Sequence, residues 1–204
     1  MVRMKKRWKA GLLLFDEVEV LDFAGPFEVF SVTAAEDGGK ERPFEVKTIS
    51  ETGEAVTARN GLTVVPDFSI ENAPRFDILI IPGGPGARNR EVHNDRLIGW
   101  IKKEAEHTEL LLSVCTGALL LAKAGLLHGK SATTHWASYD RLEQEFPEVN
   151  VVRGVKFVDE GNIVTSGGIS AGINMSFHIV KRLLGEETAR QTAKRMEYDS
   201  PFGP

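Results

Sequence analysis

Two short runs limit the fold more than anything else in the chain: residues 76–84, FDILIIPGG, and residues 109–114, ELLLSV. Each is apolar at successive rather than alternate positions, so a strand built from it is oily on both faces, as central strands of a parallel sheet are. Such strands need helices over both faces, and the rest of the chain alternates accordingly. AGLLLF (10–15) reads as a first buried strand and FEVKTIS (44–50) as a second, with a helix over GPFEVFSVTAAE (25–36) between them. Helical periodicity returns in residues 95–107, 116–127, 136–146, 171–185 and 186–198. AVTARNGLTVVPD (55–67), with Asn60–Gly61 near its centre, reads as a hairpin, and VKFVDEGNIVTSGG (155–168) as another. The expectation is one α/β domain over residues 1–204, a sandwich with a mostly parallel central sheet.

Composition excludes several classes. With 42% hydrophobic and 26% charged residues the chain is globular, and a net charge of −4 argues against a nucleic-acid footprint. No apolar run approaches the roughly 20 residues of a membrane span. The N-terminus turns from basic to apolar, but its oily core, Leu12–Phe15, meets Asp16 and Glu17 at once, unlike a secretory leader. One cysteine cannot form an intrachain disulfide. A cytoplasmic protein without membrane or nucleic-acid partners is expected.

In parallel α/β sheets the chemistry gathers beyond the carboxyl ends of the strands. Three such ends stand out. Cys115 lies between a strand and a helix, with small residues two before it (Ser113) and two after it (Gly117), the pattern of a nucleophile elbow. A helix N-terminus beside the sulfur would favour thiolate over thiol; the alternative is a buried cysteine acting as a small hydrophobe. IPGGPG (81–86) could bring backbone N–H groups close to a ligand or form a plain turn; it lacks the Gly-Lys-Ser/Thr of a phosphate loop. Asp22, just past the first strand, is either the N-cap of the next helix or an acid aimed into a site. SGGISAG (166–172) fails dinucleotide spacing, and the five histidines form no metal pattern. His178 reads as a core or rim residue, whereas His135, in TTHW, is the histidine that could assist Cys115.

Together, LLLFDEVEVLDFAGPFEVF, FDILIIPGGPG, SVCTGALLLAKAGLLHGKSATTHW and TSGGISAGI resemble the ThiJ/PfpI superfamily, of class I glutamine amidotransferase-like fold. The resemblance implies a flavodoxin-like three-layer sandwich, a cysteine on the elbow, an acid from the first strand end, and a homodimer. Thr116 stands where peptidase members carry histidine, and the His–Glu pair of glutamine amidotransferases has no counterpart near the end of the chain. The deglycase-like branch has glutamate where Asp22 stands. LDxxGP, the threonine after the cysteine and ATTHW are most similar to isocyanide hydratase, and equally to the sensor domain of certain AraC-type regulators.

For a hydratase the resemblance implies Cys115 as nucleophile and Asp22 as proton donor and acceptor. The amides of Gly84 and Thr116 would polarise substrate or water, and Ile169 and His135 would line the pocket. The substrate would be a small molecule, and neither metal nor organic cofactor is implied. A glyoxalase or deglycase using Cys115 with His135, and a non-catalytic cysteine sensor, are the other implied readings. A role for Asn174 is left open.

Overall fold

The computed structural model describes residues 6–34 and 42–199. Its elements in chain order begin with β1 (Trp8–Leu14), α1 (Val20–Val32), β2 (Phe44–Ser50), β3 (Val56–Thr57), β4 (Thr63–Val64) and β5 (Phe68–Ser69). They continue with β6 (Ile78–Ile81), α2 (Pro85–Asn89), α3 (Asp95–Ala105), β7 (Leu110–Val114), α4 (Gly117–Lys123), β8 (Ser131–Ala132) and α5 (Tyr139–Glu145). The last are β9 (Asn150–Val151), β10 (Phe157–Asp159), β11 (Ile163–Ser166), α6 (Ala171–Leu184) and α7 (Glu186–Arg195).

The main sheet has seven strands in the order β10-β11-β7-β6-β1-β2-β5. Every pairing is parallel except β10 with β11 at the edge. The two unbroken apolar runs became β6 and β7, and all their residues are buried, as strands covered on both faces must be. Helices α1, α6 and α7 pack together on one face; α2, α3 and α4 pack together on the other. The chain thus forms the expected three-layer sandwich. The hairpin at Asn60–Gly61 is β3–β4, with Asn60 (φ 66°) and Gly61 (φ 93°) both in the left-handed region that its turn requires.

Two expectations about the first helix need correction. It begins at Val20 rather than residue 25, and Pro26 lies inside it rather than in its first turn. A proline has no N–H to give the carbonyl one turn back, so the Asp22 carbonyl loses its helical partner while the helix carries on. Asp22 is therefore in the first turn and is not the N-cap; that position is Glu19, whose side chain makes no capping hydrogen bond. Residues 35 and 36 of the expected helix, and residues 1–5 of the basic N-terminus, lie outside the described residues. The helix expected over 136–146 opens as a 3-10 turn at Trp136–Ser138 before α5. Among the described residues, no helix is long and apolar enough to cross a membrane.

Candidate active site

Four adjacent strands, β1, β6, β7 and β11, end on the same rim of the sheet, and the segment after each contributes one piece of a single site. The segment after β1 leads to Asp22, β6 to Gly83–Gly84, β7 to Cys115 and β11 to Ile169.

Cys115 has φ 57°, a left-handed conformation that L-residues with a side chain adopt only under constraint. Its N–H is shared between the carbonyls of Ser166 and Gly167, each at 3.2 Å, and its own carbonyl accepts a 2.7 Å bond from Thr134 Oγ1. The small neighbours have measurable reasons. A Cβ on Gly117 would lie 2.1 Å from the Ile81 carbonyl oxygen, so α4 can start against the end of β6 only as glycine. A Cβ on Gly83 would lie 2.4 Å from Thr116 N and 2.9 Å from Cys115 Cβ. The elbow is held from every side by backbone.

Asp22 is fully buried. Its carboxylate accepts the Gly83 N–H at 3.0 Å and the Ile169 N–H at 3.1 Å, and the Cys115 thiol is close enough to act on it. Ile169, a β-branched residue at φ 57°, is a second strained position, and its strain points its amide at the acid. Burial pushes the Asp22 carboxyl from its ordinary 3.8 up to about 7; the Gly83 amide, the Cys115 thiol and the Ile169 amide pull it back, while the Glu19 charge adds to the rise. The thiol is also pushed up, first by burial and then by the Asp22 charge, although the Thr116 amide and hydroxyl draw it down. The expected preference for thiolate at a helix start is therefore outweighed. The two groups titrate as a pair that gives up its first proton near neutrality and holds the second much more tightly. After the first loss one proton remains between sulfur and carboxylate, and its placement on oxygen is the form with both a nucleophile and an acid.

A pH dependence of stability follows. The folded pKa of Asp22 lies above the unfolded one, so the native state holds the extra proton between pH 3.8 and about 7. The group's contribution is complete below pH 3.8 and is lost as pH rises through 7, a change on the order of 4 kcal/mol. Asp22→Asn cannot ionise and lacks this slope, though its amide nitrogen faces one of the two backbone donors. Urea unfolding at pH 4 and pH 8 should show the wild type losing stability relative to the variant; parallel curves would contradict the raised carboxyl.

The other expected residues divide. The Gly84 N–H is not free for a ligand, because it donates to Thr116 Oγ1 at 2.9 Å, and Gly84 at φ 124° is pressed against the backbone of Glu17 and Glu19. Thr116 is buried beside the sulfur. His135 packs on Gly168, where a Cβ would come within 2.2 Å of its ring, and its Nδ1 accepts the Ala137 N–H at 3.3 Å. Burial and then Arg88 lower the pKa of His135, with Glu19 acting the other way. His178 sits on the rim, stacked on Phe157 with Nε2 2.6 Å from Asp159 Oδ2. Asn174 lines a separate polar cavity of about 430 Å³ with Lys156, Glu197, Tyr198 and Asp199. Sequence reasoning missed Gly83, Thr134 and Glu19. The glycine doublet after β6 and the threonines before His135 carried a signal for the first two.

The family model described as the DJ-1/PfpI family matches residues 8–182. The isonitrile hydratase of Pseudomonas putida is 33% identical over 189 residues, 92% of this chain and 77% of that protein. The HTH-type transcriptional regulator GbdR of Pseudomonas aeruginosa is 30% identical over 93% of this chain, which spans only half of the regulator's length. Among solved structures, DJ-1beta of Drosophila melanogaster superposes with a TM-score of 0.80 over 96% of this chain and all of that one, at 22% identity.

Proposed function

The chain belongs to the DJ-1/PfpI family, and from that premise we propose that it is a cysteine-dependent hydratase of a small organic molecule, converting an isocyanide and water to an N-substituted formamide. The observation that carries this reading is the buried Cys115–Asp22 pair, in which the acid is aimed by two backbone amides and interacts with the thiol. The likeness to isonitrile hydratase agrees with it.

The chemistry uses the singly protonated pair. The Cys115 thiolate adds to the terminal carbon of R–NC while Asp22 transfers its proton to that carbon, giving the thioimidate R–N=CH–S–Cys115. Water then adds to the same carbon. One of its protons ends on nitrogen, the other returns to Asp22, and the C–S bond breaks to release R–NH–CHO and the thiolate. The pair returns to its starting charge, so the cycle needs no other proton source.

The test is formamide production from a simple isocyanide by purified protein. Asp22→Asn should lower kcat by about a hundredfold or more, as expected for loss of a positioned acid–base group. Full activity in that variant would remove Asp22 from the mechanism. Absence of turnover with any isocyanide would favour the sensor reading, for which the likeness to half of GbdR speaks. A second copy of the chain is the partner we propose, checked by the molecular mass in solution.

A further inference from the structure

Glu19 and Arg59 stand just outside the pair described above. Glu19 is one helical turn before Asp22, and the two residues hold both backbone polar groups of Gly83 between them. The Gly83 carbonyl takes the Glu19 N–H at 3.0 Å, and the Gly83 N–H goes to Asp22 Oδ2. The Glu19 side chain is only 15% exposed and pairs with Arg59, whose Nη1 lies 2.6 Å from Oε2. Arg59 belongs to the β3–β4 hairpin, 40 positions away in sequence. That hairpin is bonded to the loop leading into α1: Arg59 N–H to the Val18 carbonyl at 2.9 Å, Glu17 N–H to the Thr57 carbonyl at 2.8 Å, and Thr57 N–H to Asp16 Oδ1 at 2.8 Å. A charge pair at the mouth of the site is thus fastened by a hairpin that touches none of the reacting atoms.

We propose that the Glu19–Arg59 ion pair fine-tunes the protonation of the Cys115–Asp22 couple, and through it the reactivity of the thiol, with the β3–β4 hairpin holding Arg59 in place. Glu19 sets a negative charge against the couple and disfavours loss of its proton; Arg59 offsets that charge. The charged groups next to the couple are Glu19 from the loop before α1 and Arg59 from the hairpin; beyond them, Glu17 acts on Arg59, and Arg88 from α2 acts on His135 in the segment after β8. Of these, Glu19 acts directly on Asp22 and also on His135, and Arg59 feels Glu19, Glu17 and Cys115. The pair is partly exposed, so its influence is screened and amounts to a fraction of a pH unit rather than several. Glu19 and Arg59 are positioning residues and take no part in bond making.

The proposal rests on reading Cys115 as the reactive thiol, and its test reads that thiol without any hydratase assay. Cys115 is the one cysteine in the chain, so the rate of carbamidomethylation by iodoacetamide, followed by intact mass from pH 5 to 9, reports on it alone. Glu19→Gln should move the midpoint of the profile to lower pH and speed alkylation at pH 6 by about three-fold. Arg59→Met should move it to higher pH and slow alkylation at pH 6 by a similar factor, and Arg59→Lys should restore the wild-type profile. Opposite shifts with charge rescue are not what a loosened fold produces. Shifts in the same direction, or none, overturn the proposal and leave the reactive thiol standing. A thiol that is alkylated in no variant at any pH overturns both.

Discussion

Cys115→Ala is expected to bring formamide production down to the uncatalysed background, a loss of about 10⁴-fold or more in kcat/KM. No other sulfur exists in the chain's cysteine inventory to take over. The same variant should fold. Alanine occupies the left-handed φ of 57° with the same strain as cysteine, and the bonds that set the elbow are all made by backbone atoms of residue 115. Losing the thiol removes an interaction that draws the Asp22 carboxyl down, so the carboxyl rises further and the variant should go on losing stability to a higher pH than the wild type. Activity is read with a simple isocyanide and the fold by urea unfolding. Residual turnover within tenfold of the wild type would remove Cys115 as nucleophile.

A large effect on stability is expected at Gly117. Its Cβ would lie 2.1 Å from the Ile81 carbonyl oxygen and 2.9 Å from that of Pro82. Both are main-chain atoms at the end of a fully buried central strand, and neither can swing aside as a flexible side chain would. Gly117→Ala must separate α4 from β6, at a cost on the order of 3 kcal/mol or more. It also pulls the elbow away from Gly83 and should lower activity even where the protein still folds. Gly99, in α3, is the matched control, because a Cβ there meets nothing within 4 Å. Alanine at that helical position should stabilise by about 0.5–1 kcal/mol. A pair of variants with similar urea midpoints would mean that the close approach of α4 to β6 is not a constraint.

The sandwich was legible because β6 and β7 are written as unbroken apolar runs, and the elbow because Ser113 and Gly117 bracket the cysteine. The start of α1 was not. Gly25–Pro26 looks like a helix opening, yet Val20 and Leu21 already belong to the helix, and this places Asp22 in the first turn instead of at the cap. The thiol's protonation is not legible in the sequence for a different reason. The helix-end effect has the expected sign, but burial and a neighbouring carboxylate oppose it, and neither can be weighed until β1 and β7 are known to end on the same rim, on either side of β6. Glu19 and Arg59 meet across 40 residues through a hairpin docked on a loop, a contact that no local pattern announces.

The bond from Ile169 to Asp22 joins positions 147 residues apart. Synthesis runs from the N-terminus, so the thiol emerges from the ribosome long before the last strand that helps to aim its acid. Until β11 docks beside β7, the chain carries a cysteine with an incompletely held partner, and contacts of such long sequence separation form late and slowly. The reactive couple is then a property of the finished sheet and of no shorter stretch. Its first appearance in a refolding experiment would mark the docking of β11, which makes the single sulfur a clock for that step.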